Sequence, residues 1–139
     1  MKNPQAQPNH YDIAQFEKWD KDGDLVLSAE FQRKPVWKDS AKYYLIDSIL
    51  TGFPMPEIYI QKKRIQGKKR SQYIVIDGQQ RLSTILEYLE NKFKIMHSES
   101  PENIFAKSFK DLSEKLQETF WSYSIITREI VTEDDKLAR

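Results

Sequence analysis

The run Ile76-Asp77-Gly78-Gln79-Gln80-Arg81 places a carboxylate, a glycine, two amides and a guanidinium within six residues. It follows Tyr73-Ile74-Val75, which with Ile76 is dense in β-branched residues, and it precedes Leu82, Ile85, Leu86 and Leu89, spaced along one helix face. A strand that turns directly into a helix exposes the helix's first backbone N–H groups, which have no intrahelical partners. The macrodipole favours negative charge at that point, so the arrangement has the geometry of an anion site. Gly78 can take a positive φ and lets a ligand approach the backbone. Arg81, in the first turn, can fork two bonds onto phosphate oxygens. Gln79 and Gln80 add neutral donors and acceptors. Asp77 suits Mg²⁺ or an attacking water, and it equally suits plain helix capping.

An exposed helix N-terminus contributes only about 0.3–1 kcal/mol to a nearby anion. A nucleotide site therefore needs further groups, and Phe31-Gln32-Arg33 is the candidate source of a second guanidinium. Taken alone, that triplet reads as a surface arginine beside a core phenylalanine. A second chemical feature is the stretch holding Lys62, Lys63, Arg64, Lys68, Lys69 and Arg70. It reads either as a loop for nucleic-acid phosphates or as a solvated hairpin tip. His10 and His97 are isolated in polar surroundings and read as surface residues. No carboxylates show two-metal spacing, and the metal ligands are left unassigned.

The elements that must position these groups are legible from periodicity. A helix is expected from about Tyr11 to Trp19, a turn at Lys21-Asp22-Gly23-Asp24, a short strand at Leu25-Val26-Leu27, and a loop over residues 28–33. Asp39 or Ser40 is expected to cap a helix whose apolar face holds Leu45, Ile46, Ile49, Leu50 and Phe53, with Gly52 just past its C-cap and Pro54 ending it. Ile58-Tyr59-Ile60 and Tyr73–Ile76 are strand candidates, joined by the basic stretch into an antiparallel pair with a mobile tip. The strongest helix is expected over Gln79–Asn91. Phe93-Lys94-Ile95 reads as a short strand. Leu112–Trp121 reads as a helix, with Asp111 and Glu114 in capping-box spacing, and Ser124–Val131 as a final strand. Residues 1–10 read as a flexible leader and 11–139 as one domain, interrupted after Thr132 where a further element is expected to open.

With 139 residues, the chain can bury a core without staples. It has no cysteine, which excludes disulfides and thiolate metal sites. No apolar run is long enough for a transmembrane helix, and the first ten residues lack a signal-peptide core, so no membrane partner and a cytoplasmic location are expected. The net charge of +1 is low for a duplex-gripping protein, whose affinity rests on phosphate neutralisation.

Phe31-Gln32-Arg33, Val36-Trp37, Leu45-Ile46-Asp47-Ser48-Ile49-Leu50 with Gly52, Pro54-Met55-Pro56, and Ile76-Asp77-Gly78-Gln79-Gln80-Arg81-Leu82-Ser83-Thr84-Ile85 occur in that order. Together they resemble the N-terminal domain of GmrSD-like restriction proteins, over roughly Leu25 to Asp135. The resemblance implies a ParB/sulfiredoxin-like α+β fold with a small, mainly antiparallel or mixed sheet and helices packed on it. It implies a domain that binds, and in several members hydrolyses, a nucleoside triphosphate with Mg²⁺. It also implies an HNH nuclease domain, in the same chain or a partner, and foreign DNA as the target. Asp77, Gly78, Gln79, Gln80 and Arg81 match the family's nucleotide motif, with Asp77 and Gln80 as the candidate catalytic pair. Gln32 and Arg33 match its upstream motif. The family's Phe-x-x-x-Asn segment and an HNH histidine pattern do not occur in this sequence, which makes the fragment doubtful as an independent enzyme. Two functions follow: an NTP-binding and hydrolysing regulatory domain of a restriction system, or a non-catalytic ParB-like DNA-binding module. Direct nuclease action by the fold itself is a weaker third.

Overall fold

A computed structural model describes residues 7–27, 37–98 and 103–132. In chain order these form β1 (Gln7–Asp12), α1 (Ile13–Lys21), β2 (Leu25–Leu27), α2 (Asp39–Leu50), β3 (Ile58–Arg64), β4 (Ser71–Asp77), α3 (Gln79–Leu89), a 3₁₀ turn (Phe109–Asp111), α4 (Glu114–Trp121) and β5 (Ser124–Thr132). Mixed α/β content is as expected. The chain divides into two compact units. One gathers the described parts of Met1–Lys34, Pro56–Gln79 and Ser124–Arg139; the other holds Pro35–Met55 and Gln80–Tyr123.

The first unit is a five-stranded sheet in the order β1-β5-β3-β4-β2. β1–β5 and β3–β4 are antiparallel, whereas β3–β5 and β2–β4 are parallel. The sheet is thus mixed, because β5 and β2 reach their neighbours through long excursions of the chain. The strand β1 replaces what reads in sequence as the end of a leader and the start of a helix. Its pairing with β5 is fastened by side chains: Tyr11 Oη donates to Glu129 Oε2 at 2.6 Å, and Asn9 Nδ2 donates to the same oxygen at 3.3 Å. Pro8 is tolerated because β1 is an edge.

Helix α1 starts two residues later than expected, with Asp12 accepting the Gln15 backbone N–H at 2.9 Å. It buries Ile13, Phe16 and Trp19. Trp19 stacks on Tyr73 of β4 with 3.8 Å between ring centroids, and Tyr11 meets both Phe16 and Trp19 edge-on. This aromatic set covers the sheet face that carries Ile125, Thr127 and Glu129, all buried.

In the second unit, α2 begins after Lys38, which makes no side-chain cap bond. Asp39 sits in the first turn, where its charge complements the dipole, instead of capping. The C-terminus closes as a Schellman motif: Phe53 N–H bonds Ser48 O at 2.9 Å and Gly52 N–H bonds Ile49 O at 3.2 Å, with Gly52 at φ +82°. Phe53 itself is exposed and not part of the apolar face. Helix α3 buries Leu82, Ile85 and Leu86 as its spacing predicts, leaves Leu89 half-buried, and also buries Tyr88.

Phe93–Ile95 forms no strand; Ile95 is instead buried in a loop and bonds the backbone of Ala106 and Lys107. Asp111 does not cap α4. It closes a capping box with Ser108 on the 3₁₀ turn, and Ser113 caps α4 through the Leu116 N–H at 3.2 Å. Tyr88, Phe109, Phe120 and Trp121 make a chain of aromatic contacts that ties α3, the 3₁₀ turn and α4 together.

Candidate functional site

The strand–turn–helix junction is present as the sequence suggests: β4 ends at Asp77, α3 begins at Gln79, and Gly78 between them has φ +102°. That conformation is costly for any residue with a Cβ. The junction is locked from below by Gln79, whose Nε2 donates to Val75 O at 2.7 Å. Gln79 therefore spends one amide donor on holding the turn. Gln80 and Arg81 follow in the first turn of α3, both half-buried.

The pairing of β3 with β4 adds something that spacing alone cannot reveal. Ile60 pairs with Val75, yet Tyr59 pairs with Asp77, so the register shifts by one residue and Ile76 is the extra one. Side chains alternate faces along a strand, so the bulge turns Asp77 away from the face of Val75 and onto that of Tyr59. Tyr59 in turn pairs with Arg128 of β5. Asp77, Tyr59 and Arg128 thus form one row across three adjacent strands, which spans roughly 10 Å from Asp77 to Arg128 at about 4.8 Å per strand. Glu57, just before β3, grips the guanidinium with both oxygens: Arg128 Nε donates to Oε2 at 3.1 Å and Nη2 to Oε1 at 3.2 Å. This fork holds the Glu57 carboxyl below, and the Arg128 guanidinium above, their ordinary ranges. Neither residue stands out as a candidate in the sequence. The only available signal is a charged residue directly after the β-branched run Ile125-Ile126-Thr127.

Gln32 and Arg33 lie outside the described residues. Leu27, the last residue of β2, pairs in parallel with Val75, two residues before Asp77. β2 and β4 therefore run in the same direction and end on the same side of the sheet. Parallel strands that end together are where ligands collect in α/β sheets.

Of the six basic residues, Lys62, Lys63 and Arg64 belong to β3 and not to a loop, so only residues 65–70 form the hairpin tip. Lys62 stands 4.0 Å from Glu129 and over the Tyr73 ring, and Arg70 forks onto Asp24. His10 and His97 are exposed. Among the described residues, no three His, Cys, Asp or Glu side chains are grouped to hold a metal. None of the described helices is long and apolar enough to cross a membrane.

The family description "GmrSD restriction endonuclease, N-terminal domain" matches residues 16–137. The chain belongs to that family. No curated protein and no solved structure matches it. For this GmrSD N-terminal domain, the matched span takes in Asp77–Arg81, the Glu57–Arg128 pair, and the strands that carry them.

Proposed function

We propose that this GmrSD N-terminal domain is the nucleoside-triphosphate-binding and hydrolysing regulatory domain of a DNA restriction system, acting in the cytoplasm with an HNH nuclease domain on the same chain or a partner. The observation that carries this reading is the Asp77–Gly78 junction. Gly78 adopts a φ that only glycine holds without strain, directly before the N–H groups of a helix, and a bulge re-aims Asp77 beside it. The donors fit a polyphosphate in kind: the backbone N–H groups in the first turn of α3 and the guanidinium of Arg81, with Gln32 and Arg33 from the segment after β2. Mg²⁺ typically keeps most of its shell as water and phosphate and takes one or two carboxylates. Asp77 fits that role better than a protein cage, which the described residues do not contain. Gln80 would orient the attacking water. Such positioning and charge neutralisation is most of what phosphoryl transfer asks of a protein.

The test is isothermal titration with each of the four ribonucleoside triphosphates plus Mg²⁺, beside Arg81→Ala. Saturable binding to one of them that the variant loses supports the assignment. Unchanged affinity in the variant removes Arg81 from the site, and no binding at all moves the motif to DNA phosphates, the alternative of a non-catalytic ParB-like DNA-binding module.

A further inference from the structure

The nine residues Lys62–Arg70 carry six basic side chains and no acidic one. The remaining 130 residues hold sixteen basic against twenty-one acidic side chains, a net −5. The near-zero total charge thus hides a strongly uneven distribution of charge along the sequence. The fold sorts the six cations into two groups. Lys62 and Arg70 are used inside the unit. Lys62 lies against Glu129 and Tyr73, while Arg70 donates to the Asp24 carboxylate and, at 2.8 Å, to Asp22 O. Lys68 and Lys69 are exposed at the tip and Arg64 at the end of β3 beside it, with Lys63 on the flank.

The tip is also held in shape. Arg64 pairs with Ser71, Ile65 N–H bonds Arg70 O at 3.1 Å, and Lys68 N–H bonds Ile65 O at 3.1 Å. At its base, Tyr73 N–H bonds Asp24 O at 2.7 Å, which joins the hairpin to the turn that receives Arg70. Because the backbone is already braced, it need not be ordered when the three cations meet a polyanion. The tip lacks an aromatic or large exposed apolar side chain: Ile65, its one apolar residue, is half-buried. Protein partners are usually anchored by such a side chain, whereas phosphate contacts need only charge.

We propose that the β3–β4 hairpin is a duplex-DNA contact, with Arg64, Lys68 and Lys69 on backbone phosphates. The assignment rests on the charge sorting and the bracing, not on the nucleotide reading. Each phosphate contact contributes about 0.9 to the slope of log affinity against log salt. Three contacts give a slope of about −2.7, or about a 40-fold loss of affinity between 50 and 200 mM salt.

The experiment measures anisotropy of a labelled duplex with the 139-residue chain over that salt range. It compares Arg64→Gln/Lys68→Gln/Lys69→Gln with a charge-matched control, Lys94→Gln/Lys110→Gln/Lys115→Gln, whose lysines are exposed in the second unit. The expected result is a slope about 2.7 units shallower in the hairpin variant and unchanged in the control. Equal slopes in the two variants, or a salt-independent wild type, overturn the proposal. So does polyglutamate bound by the wild type as tightly as DNA is displaced by it, since that marks an acidic protein partner. Titrating the hairpin variant with Mg²⁺ and triphosphate separates the two readings: its nucleotide affinity should match the wild type whatever the DNA result.

Discussion

Tyr11→Phe isolates the short polar tie between β1 and β5. Glu129 is buried at 5% exposure and accepts from Tyr11 at 2.6 Å and Asn9 at 3.3 Å, with Lys62 at 4.0 Å. The substitution keeps the ring, and with it the edge-on contacts to Phe16 and Trp19 at 6.2 and 4.9 Å. Only the donated hydrogen bond is lost. A hydrogen bond to a charged group contributes about 1.5–3 kcal/mol, and Glu129 retains two other partners, so a loss of about 2 kcal/mol is expected. Urea unfolding should show a midpoint lower by about 1 M with an unchanged m value. A double-mutant cycle with Glu129→Gln should return most of that energy as coupling.

The same bond has a pH signature. Burial first, and then the bond to Glu129, raise the Tyr11 hydroxyl above its ordinary value of 10. The folded state therefore favours the protonated phenol. This contribution is complete below about pH 10 and is lost as rising pH ionises the unfolded chain's tyrosine. Tyr73 and Tyr88 are raised as well, so the wild type should lose stability above pH 10, and Tyr11→Phe should lose it less steeply. A coupling below about 0.5 kcal/mol, or parallel alkaline profiles, would show that the Tyr11–Glu129 bond does not hold β1 to β5.

Three further outcomes are expected. Gly52→Ala adds a Cβ that meets nothing within 4 Å, so its cost is the backbone's alone at φ +82°, about 1–2 kcal/mol by thermal or urea unfolding. Glu57 has a lowered carboxyl because Arg128 bonds it; its stabilising contribution is present above the ordinary glutamate value near pH 4.3 and is lost as pH falls below it. Glu57→Gln should flatten the acid limb of the stability profile, and an unchanged limb would mean that the fork does not persist in solution. Gly78→Ala should cost as much stability as Gly52→Ala and also abolish triphosphate binding, whereas Gly52→Ala leaves binding intact; equal binding by both refutes a backbone role for the junction.

What was legible in sequence follows from which forces write a period into the chain. Leu82, Ile85 and Leu86 bury one stripe of a helix, and the β-branched run at residues 73–76 fills a strand, so both show as patterns. Gly52 and Gly78 show because positive φ selects glycine. β1 does not show. Its six residues are fastened by Asn9 and Tyr11 to a carboxylate about 120 positions away, and a polar tie leaves no alternation of apolar residues. The opposite error occurs at Phe93–Ile95, where a loop that buries Ile95 and half-buries Phe93 imitates the alternation of a strand. At the site, the local motif 77–81 is readable because one turn holds it. Glu57 and Arg128 are 71 positions apart and meet only through strand order, and the bulge that turns Asp77 toward their row is a property of pairing.

The two proposed binding regions sit at opposite ends of the same strand. Asp77 closes β4 and Ser71 opens it at the hairpin tip; six residues at about 3.4 Å each put them roughly 20 Å apart. A mononucleotide is too small to bridge that distance, so the preferred triphosphate at saturation should leave DNA bound. Any change it makes in DNA affinity must be matched by an equal change in nucleotide affinity when DNA is the first ligand, because binding linkage is reciprocal. If Asp77–Arg81 instead took DNA phosphates, the two ligands would exclude each other, and DNA affinity would fall in proportion to triphosphate concentration above its own dissociation constant. A single anisotropy titration at fixed salt and Mg²⁺ decides between them. Simultaneous occupancy with reciprocal coupling places nucleotide and DNA at the two ends of β4, and strict competition collapses both onto one site.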